Sequence, residues 1–210
     1  MAQHLYTFVN PCVEKHLDLA CEVLRNDGVI AYPTDVNWAF GCSASSRKAL
    51  DKIRQLKPDH PDEQPFSLFC SSLSMVARIA NVENYAYRVL RKILPGPYTI
   101  LLKSNRTLPK QIGDKRATVG VRVPKAPLLL ELMKVFETPL ATTSLPQQKN
   151  VSRSNEFRFG YEIEEHFGHA LDLILDLGQE IVPRETTILD MCSTDIEVVR
   201  KGEGNIDGLV

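Results

Sequence analysis

Short runs of apolar and β-branched residues recur along the chain, and segments with helical periodicity separate many of them. Apolar residues follow helical spacing in residues 14–26, 45–56 and 126–136, and further helices are predicted near 73–80, 84–94 and 160–168. The runs with strand character are residues 28–32, 66–70, 98–103, 118–124, 139–144, 186–191 and 196–202. Strands joined by helices favour parallel pairs, whereas closely spaced strands near the C-terminal end favour antiparallel pairs. We therefore predict an α/β protein with a mixed parallel and antiparallel sheet.

The length and composition indicate one ordinary globular domain. The chain has 210 residues, of which 43% are hydrophobic and 24% charged, so we expect a single domain over residues 1–210. A net charge of −1 gives no global signal for nucleic acid. We find no targeting peptide and no apolar run long enough to span a membrane. Five cysteines without a CxxC spacing are interpreted as free thiols in a reducing cytosol, which predicts a cytoplasmic protein.

Charge is unevenly distributed in the second half of the chain. Residues 103–125 contain seven Lys or Arg and one acid, Asp114, whereas residues 156–180 contain seven acids and one base, Arg158. The basic segment suits a phosphate-binding patch, including one for RNA. The alternative is a pair of solvated surfaces of opposite sign, and charge alone favours it.

Several common catalytic motifs are absent from the sequence. There is no P-loop pattern, no dinucleotide fingerprint with the required glycine spacing, and no GxSxG elbow. His166 and His169 could form a metal pair, but a polar helix end is the favoured interpretation. We therefore predict no metal site.

Hydroxyl and cationic side chains occur instead near the ends of the predicted strands. Such groups, without an obvious nucleophile and base, suit the binding of phosphate and carboxylate. Even spacing places Thr118 and Arg122 on one face of a strand. The full set is Thr34, Asp35, Lys57, His60, Ser67, Thr118, Arg122, Thr142, Thr143, Ser144, Thr186, Thr187 and Arg200.

The segment AYPTDVNWAFGC, residues 31–42, ends a predicted strand in a rigid turn. Pro33 fixes the turn, Thr34 offers a hydroxyl at the strand end, and Asp35 and Trp38 are predicted with Pro33 to form a pocket wall. The alternative is that Asp35 caps a turn and Trp38 is a core residue.

Six segments follow one another in the order PTD, LPGPYTILLK, TVGVRVP, PLATTS, TTILD and VVRKGEG. With these segments in this order, the chain resembles the YrdC/YciO family over about residues 14–204. The resemblance implies one twisted α/β domain with a large concave, positive cavity. Its YrdC branch makes threonylcarbamoyl-AMP from ATP, bicarbonate and threonine, which serves the threonylcarbamoyladenosine modification of tRNA. Family members are also linked to double-stranded RNA binding. The resemblance thus implies that ATP is a substrate, that Mg²⁺ assists its reaction, and that there is no tightly bound cofactor.

The resemblance also assigns site residues. On the threonine side it places Thr34, Ser67, Arg122 and Thr186. On the nucleotide and phosphate side it places Lys57, His60, Thr118, Ser144 and Arg200.

Three departures from the YrdC pattern make the chain more similar to the YciO branch. Val36 and Trp38 replace the Thr and Tyr of PTDTxY. Lys57 and His60 stand where that branch has Lys-x-Arg, and Pro146 replaces the amide of Ser-x-Asn. Three functions therefore stay open: a threonylcarbamoyl-AMP synthase, a nucleotide- or RNA-binding module without synthesis, and an enzyme that hydrolyses the adenylate.

Overall fold

A mixed sheet, with ten strands in the described part of the chain, organises the protein. The structure is a computed structural model and describes residues 1–58, 66–105, 117–146 and 157–209. The strands are β1 (Gln3–Tyr6), β2 (Ile30–Pro33), β3 (Trp38–Ser43), β4 (Ser67–Phe69), β5 (Tyr98–Lys103), β6 (Thr118–Arg122), β7 (Leu140–Ser144), β8 (Leu173–Asp176), β9 (Thr187–Asp190) and β10 (Glu197–Arg200). Their order across the sheet is β1-β8-β2-β3-β7-β4-β6-β5-β9-β10.

Both kinds of strand pairing are present. The pairs β1/β8, β2/β8, β4/β6 and β5/β9 are parallel, and the pairs β2/β3, β3/β7, β4/β7, β5/β6 and β9/β10 are antiparallel. The late strands β9 and β10, which a short connection joins, pair antiparallel. The predicted mixed sheet in an α/β domain is therefore confirmed.

Within the described residues, six helices accompany the sheet. They are α1 (Glu14–Arg25), α2 (Arg47–Leu56), α3 (Leu73–Ile79), α4 (Asn84–Ile93), α5 (Pro127–Phe136) and α6 (Gly160–Phe167). Ser46 caps α2, because its side chain accepts a hydrogen bond from the Ala49 amide at 3.0 Å. The helix α4 ends just before the Pro-Gly-Pro segment at 95–97, which cannot continue a helix.

The helices cover both faces of the sheet, which gives three layers and two apolar cores. One core contains the apolar faces of α2, α3 and α4, and the other contains those of α1 and α5. Strand residues alternate between them: in β2, Ala31 lies in the first core, while Ile30 and Tyr32 lie in the second.

Three strands, β1, β3 and β8, were not among the predicted strands. All six residues of β3 are buried, so its sequence, WAFGCS, shows no polar alternation. Gly41 in β3 is required by Tyr32, since a Cβ at this position would lie 2.2 Å from the Tyr32 hydroxyl oxygen. The edge strand β1, QHLY, is half polar and extends the sheet beyond the residues 14–204 that carry the family resemblance.

Among the described residues, no helix combines the length and the apolar character that crossing a membrane requires.

Candidate ligand-binding cavity

A concave cavity of about 280 Å³ is lined by residues of the sheet and of its connecting segments. Side chains from seven neighbouring strands line it, in the sheet order β3, β7, β4, β6, β5, β9 and β10. This volume lies near the lower end of the roughly 300–1,000 Å³ typical of small-molecule sites. Four cationic side chains, Lys57, Arg122, Arg184 and Arg200, belong to the lining, together with one acid, Glu185. The described part of the cavity therefore favours an anionic ligand.

Arg122, at the end of β6, is fixed in the cavity wall by an acid and an aromatic ring. Its Nη2 donates to Asp35 Oδ1 at 2.7 Å, and both side chains are 8% exposed. The other oxygen of Asp35 accepts from the Lys125 amide at 2.9 Å. The guanidinium lies over the ring of Phe69, 4.7 Å from its centroid. Arg122 therefore has one orientation that its surroundings impose.

The remaining donors of Arg122 are not all satisfied. Its Nε is buried and makes no hydrogen bond to any of the residues that the structure describes. Burial lowers the pKa of Arg122, and the charge of Asp35 opposes that shift. Because an unpaired buried donor costs free energy, this N–H is an unsatisfied group in the wall of the cavity.

Arg200, on β10, is held by the backbone and hydroxyl of Thr186. Its Nε and Nη2 donate to the Thr186 carbonyl at 3.1 and 3.0 Å, and Nη2 also donates to Thr186 Oγ1 at 3.1 Å. The hydroxyls of Thr186 and Thr99 lie 2.9 Å apart, and Glu185 contacts Arg200 Nη1 at 3.3 Å. The charge of Arg200 contributes to lowering the pKa of Arg122, so the two cations are close enough to interact electrostatically.

Lys57, directly after α2, forms a separate cationic group with the end of β7. Its Nζ donates to Ser144 O at 2.9 Å, Ser144 Oγ at 3.1 Å and Thr143 Oγ1 at 3.2 Å. Burial lowers the pKa of Lys57. No carboxylate contacts this amine in the described residues, so its charge is compensated only by neutral oxygens.

The structure brings nine of the predicted residues into the lining of this cavity. They are Trp38, Lys57, Ser67, Arg122, Thr142, Thr143, Ser144, Thr186 and Arg200. Trp38 is also a core residue, because it is 1% exposed and its Nε1 donates to the Arg158 carbonyl at 3.0 Å.

Other predicted residues lie elsewhere. The Thr34 hydroxyl is used inside the turn between β2 and β3, where it donates to the Asn37 carbonyl at 2.7 Å and accepts from the Val36 and Asn37 amides. Pro33 pairs with Trp38 at that turn. Asp35 contacts the lining residue Arg122 but does not itself line the cavity. Thr118 is exposed at the opposite end of β6, and His60 lies outside the described residues.

Sequence reasoning missed two contacts that shape the site. Phe69 is paired in register with Arg122, but the parallel β4/β6 pairing that brings them together has no local signal. Thr99 lies in β5 and contacts Thr186 through the β5/β9 pairing. Within the described residues, no group of three or more His, Cys, Asp or Glu side chains could hold a metal ion.

Comparison with known proteins identifies relatives over nearly the whole chain. The profile of the Sua5, YciO and YrdC family, described as "Telomere recombination", matches residues 22–202. An uncharacterized Haemophilus influenzae protein is 33% identical over 211 residues, and the uncharacterized Escherichia coli protein YciO is 31% identical over 209, each covering 98% of both chains. A threonylcarbamoyl-AMP synthase of Pyrococcus abyssi is 24% identical over 90% of this chain and 54% of its own length.

Solved structures agree with this relationship. The crystal structure of E. coli YciO matches with a TM-score of 0.89 and 30% identity over 100% of both chains. The structure of P. abyssi Sua5 complexed with L-threonine matches with a TM-score of 0.79 at 22% identity, over 96% of this chain and 57% of Sua5. The second match shows a shared fold.

Proposed function

The chain belongs to the Sua5/YciO/YrdC family, and we propose that its cavity binds threonylcarbamoyl-AMP or the ATP and threonine from which that adenylate is made. One observation carries the proposal: Lys57, Arg122 and Arg200 converge on one cavity whose lining also contains the hydroxyl residues Ser67, Thr99, Ser144 and Thr186. Arginine and lysine beside hydroxyls recognise phosphate and carboxylate oxygens.

In this proposal the two ends of the ligand bind at different cations. The threonyl carboxylate accepts from the guanidinium of Arg122, whose orientation Asp35 and Phe69 fix. The phosphate lies between Lys57 and Arg200, with Ser144 as a further donor. A P. abyssi relative of this fold has been solved with L-threonine, which supports an amino acid as part of the ligand.

If the protein synthesises the adenylate, its contribution is positioning and charge stabilisation. A carbamate oxygen of threonine attacks the α-phosphorus of ATP, and pyrophosphate leaves with the electron pair of the broken P–O bond. Mg²⁺ enters as part of the ATP substrate, held by phosphate oxygens, because the one acid of the described lining, Glu185, already contacts Arg200. The adenylate is then used in the threonylcarbamoyladenosine modification of tRNA.

A second candidate is a cavity that binds or hydrolyses the adenylate without making it. Pro146 lines the cavity where the Ser-x-Asn pattern has an amide, so one donor for triphosphate is absent at that point. RNA remains a candidate partner through the basic segment 103–125, of which residues 106–116 lie outside the described residues. Binding of RNA through this segment would weaken steeply with salt.

The test is a pyrophosphate-release assay with ATP, Mg²⁺, bicarbonate and threonine, in which mass spectrometry identifies the adenylate. Calorimetry with threonylcarbamoyl-AMP is run in parallel on the wild-type protein, on Arg122→Lys, and on Arg47→Ala as a control at a surface residue. Threonine-dependent pyrophosphate and the adenylate mass support the synthase. Saturable adenylate binding that Arg122→Lys weakens, without pyrophosphate, supports the second candidate. Absence of adenylate binding by the wild-type protein contradicts the proposed function.

A further inference from the structure

Lys57 and Ser144 have the geometry of a base and a nucleophile. Lys57 Nζ lies 3.1 Å from Ser144 Oγ, within the hydrogen-bond reach that such a pair requires. Thr143 Oγ1 and the Ser144 carbonyl fix the amine from two further directions. The Ser144 side chain is exposed and lines the cavity, so a bound ligand can reach its hydroxyl.

The charges around the cavity single out Lys57 from the other cations of the lining. Arg122, Arg184 and Arg200 each contact a carboxylate, from Asp35, Glu203 and Glu185 respectively. Lys57 contacts no carboxylate in the described ranges, and burial lowers its pKa. An arginine does not release its proton in a protein, whereas a buried lysine can act as a general base. Lys57 is therefore the lining cation suited to accept a proton.

We propose that Lys57 and Ser144 hydrolyse a carbamoyl-phosphate mixed anhydride of a nucleoside monophosphate bound in the cavity. This inference rests on the proposed function, because it requires that the cavity holds such an adenylate. In a mixed anhydride the carbonyl carbon and the phosphorus share one bridging oxygen. A phosphate bound at Arg200 and Lys57 therefore places the carbon next to Ser144.

The first step forms a covalent carbamoyl-enzyme. Neutral Lys57 accepts the proton of Ser144 while Oγ bonds to the carbamoyl carbon, and the bond from that carbon to the bridging oxygen breaks. The nucleoside monophosphate leaves with the electron pair and needs no proton from the protein. Negative charge that develops on the carbonyl oxygen is stabilised by the cations of the same cavity, Arg122 and Arg200.

The second step regenerates the enzyme with water. Lys57 first gives its acquired proton to solvent, then accepts a proton from the attacking water and returns it to Ser144 Oγ as the carbamate leaves. The net reaction consumes one water and yields the nucleotide as its phosphate dianion, the carbamate anion and two protons, one from each step. Because a carbamate ester is less electrophilic than the mixed anhydride, this step is the slower one and the carbamoyl-serine accumulates.

The experiment measures AMP release from threonylcarbamoyl-AMP, above the rate in buffer, with adenylate affinity measured on the same proteins. Lys57→Arg keeps a positive charge for phosphate but removes the base, Ser144→Ala removes the nucleophile, and Lys48→Arg is the matched surface control. We expect Lys57→Arg and Ser144→Ala to lower AMP release about 100-fold or more. Adenylate affinity is measured on Lys57→Arg as well, so that a loss of AMP release is separated from a loss of phosphate binding.

Two further readouts separate catalysis from folding. Intact mass spectrometry should detect the carbamoyl adduct on the wild-type protein and not on Ser144→Ala. The rate of AMP release should rise with pH, with a midpoint below the ordinary lysine pKa of 10.5, because burial lowers the pKa of Lys57.

Three outcomes overturn the inference. AMP release that Lys57→Arg leaves unchanged shows that Lys57 is a phosphate-binding cation and no base. Saturable adenylate binding without AMP release above the buffer rate overturns the hydrolysis and leaves the proposed function standing. Absence of adenylate binding by the wild-type protein removes both.

Discussion

The two ends of the cavity hold a cation in different ways, with Arg122 buried and Lys57 half-buried. Arg122 is paired with the carboxylate of Asp35 and lies over Phe69, whereas Lys57 contacts three neutral oxygens and no carboxylate of the described chain. Burial lowers the pKa of both side chains, so both pay for desolvation. Among the described residues, only Arg122 has a protein counter-charge that offsets this cost.

Because of this difference, Arg122 and Lys57 suit different groups of a ligand. The charge of Arg122 is already balanced, so what it offers a ligand is a donor in a fixed direction, which suits a carboxylate. The charge of Lys57 meets no carboxylate in the described part of the chain, which suits a phosphate or a proton-transfer role. We expect substitutions at the Arg122 end to change stability most, and substitutions at the Lys57 end to change binding and catalysis most.

The largest expected effect is on the free energy of unfolding of Asp35→Ala. This change leaves Arg122 buried without its counter-charge, which costs about 3–5 kcal/mol for a broken buried ion pair. Urea denaturation measures it, with Asp51→Ala as the control, because Asp51 is 50% exposed, pairs with Arg54 at the surface and should cost about 0–1 kcal/mol. Equal effects of the two substitutions would show that Arg122 does not depend on Asp35.

The next effect is on AMP affinity in Lys57→Met. Loss of a hydrogen bond from a charged group costs about 1.5–3 kcal/mol, which is roughly a 10- to 150-fold rise in the dissociation constant. The free energy of unfolding should stay the same or rise slightly, because a desolvated charge is removed. Calorimetry and urea denaturation test both parts, with Lys48→Met as the control. Strong destabilisation with unchanged affinity would reverse the roles that we assign to the two ends.

The smallest expected effect concerns a paired cation outside the cavity. His4 lies between Glu164 at 2.7 Å and Asp176 at 2.9 Å. Desolvation lowers the pKa of His4, but the hydrogen bonds and charges of these two carboxylates outweigh it, and the net shift is upward from 6.5. The stabilisation by His4 is therefore fully present below pH 6.5 and is lost as the pH rises through the raised pKa of the folded state.

Urea denaturation from pH 5 to 9 tests this, since the wild-type protein should lose stability relative to His4→Gln as the pH rises. A stability difference between the wild type and His4→Gln that grows with pH would contradict the ion-paired description of His4.

For Lys57 the expected change of stability with pH has the opposite sign. Its pKa is lowered in the folded state, so the contribution of Lys57 to stability rises with pH up to 10.5.

The sequence predicts the elements whose patterns are local. Helical spacing identifies α1 and α2, and the Pro-Gly-Pro segment separates α4 from β5. By contrast, β3 is buried on both faces and β1 is a partly polar edge strand, so neither has the alternation that a strand prediction uses.

The site was only partly predictable, for a similar reason. The resemblance indicated Lys57, Arg122, Ser144 and Arg200, which share the cavity lining. The contact between Asp35 and Arg122 joins residues 87 positions apart, and it depends on a turn and a strand pairing that no local pattern encodes. The use of the Thr34 hydroxyl inside its own turn likewise depends on β3, which was not predicted.

In the proposed function, the cavity binds an adenylate with its carboxylate at Arg122 and its phosphate at Lys57 and Arg200. The decisive experiment is a crystal structure with AMP and L-threonine, the two stable halves of that adenylate. We expect the threonine carboxylate within hydrogen-bond distance of the Arg122 guanidinium, and the AMP phosphate within the same distance of Lys57 Nζ and Arg200. A phosphate bound at Arg122, or both ligands bound outside the cavity, would show that this arrangement is wrong.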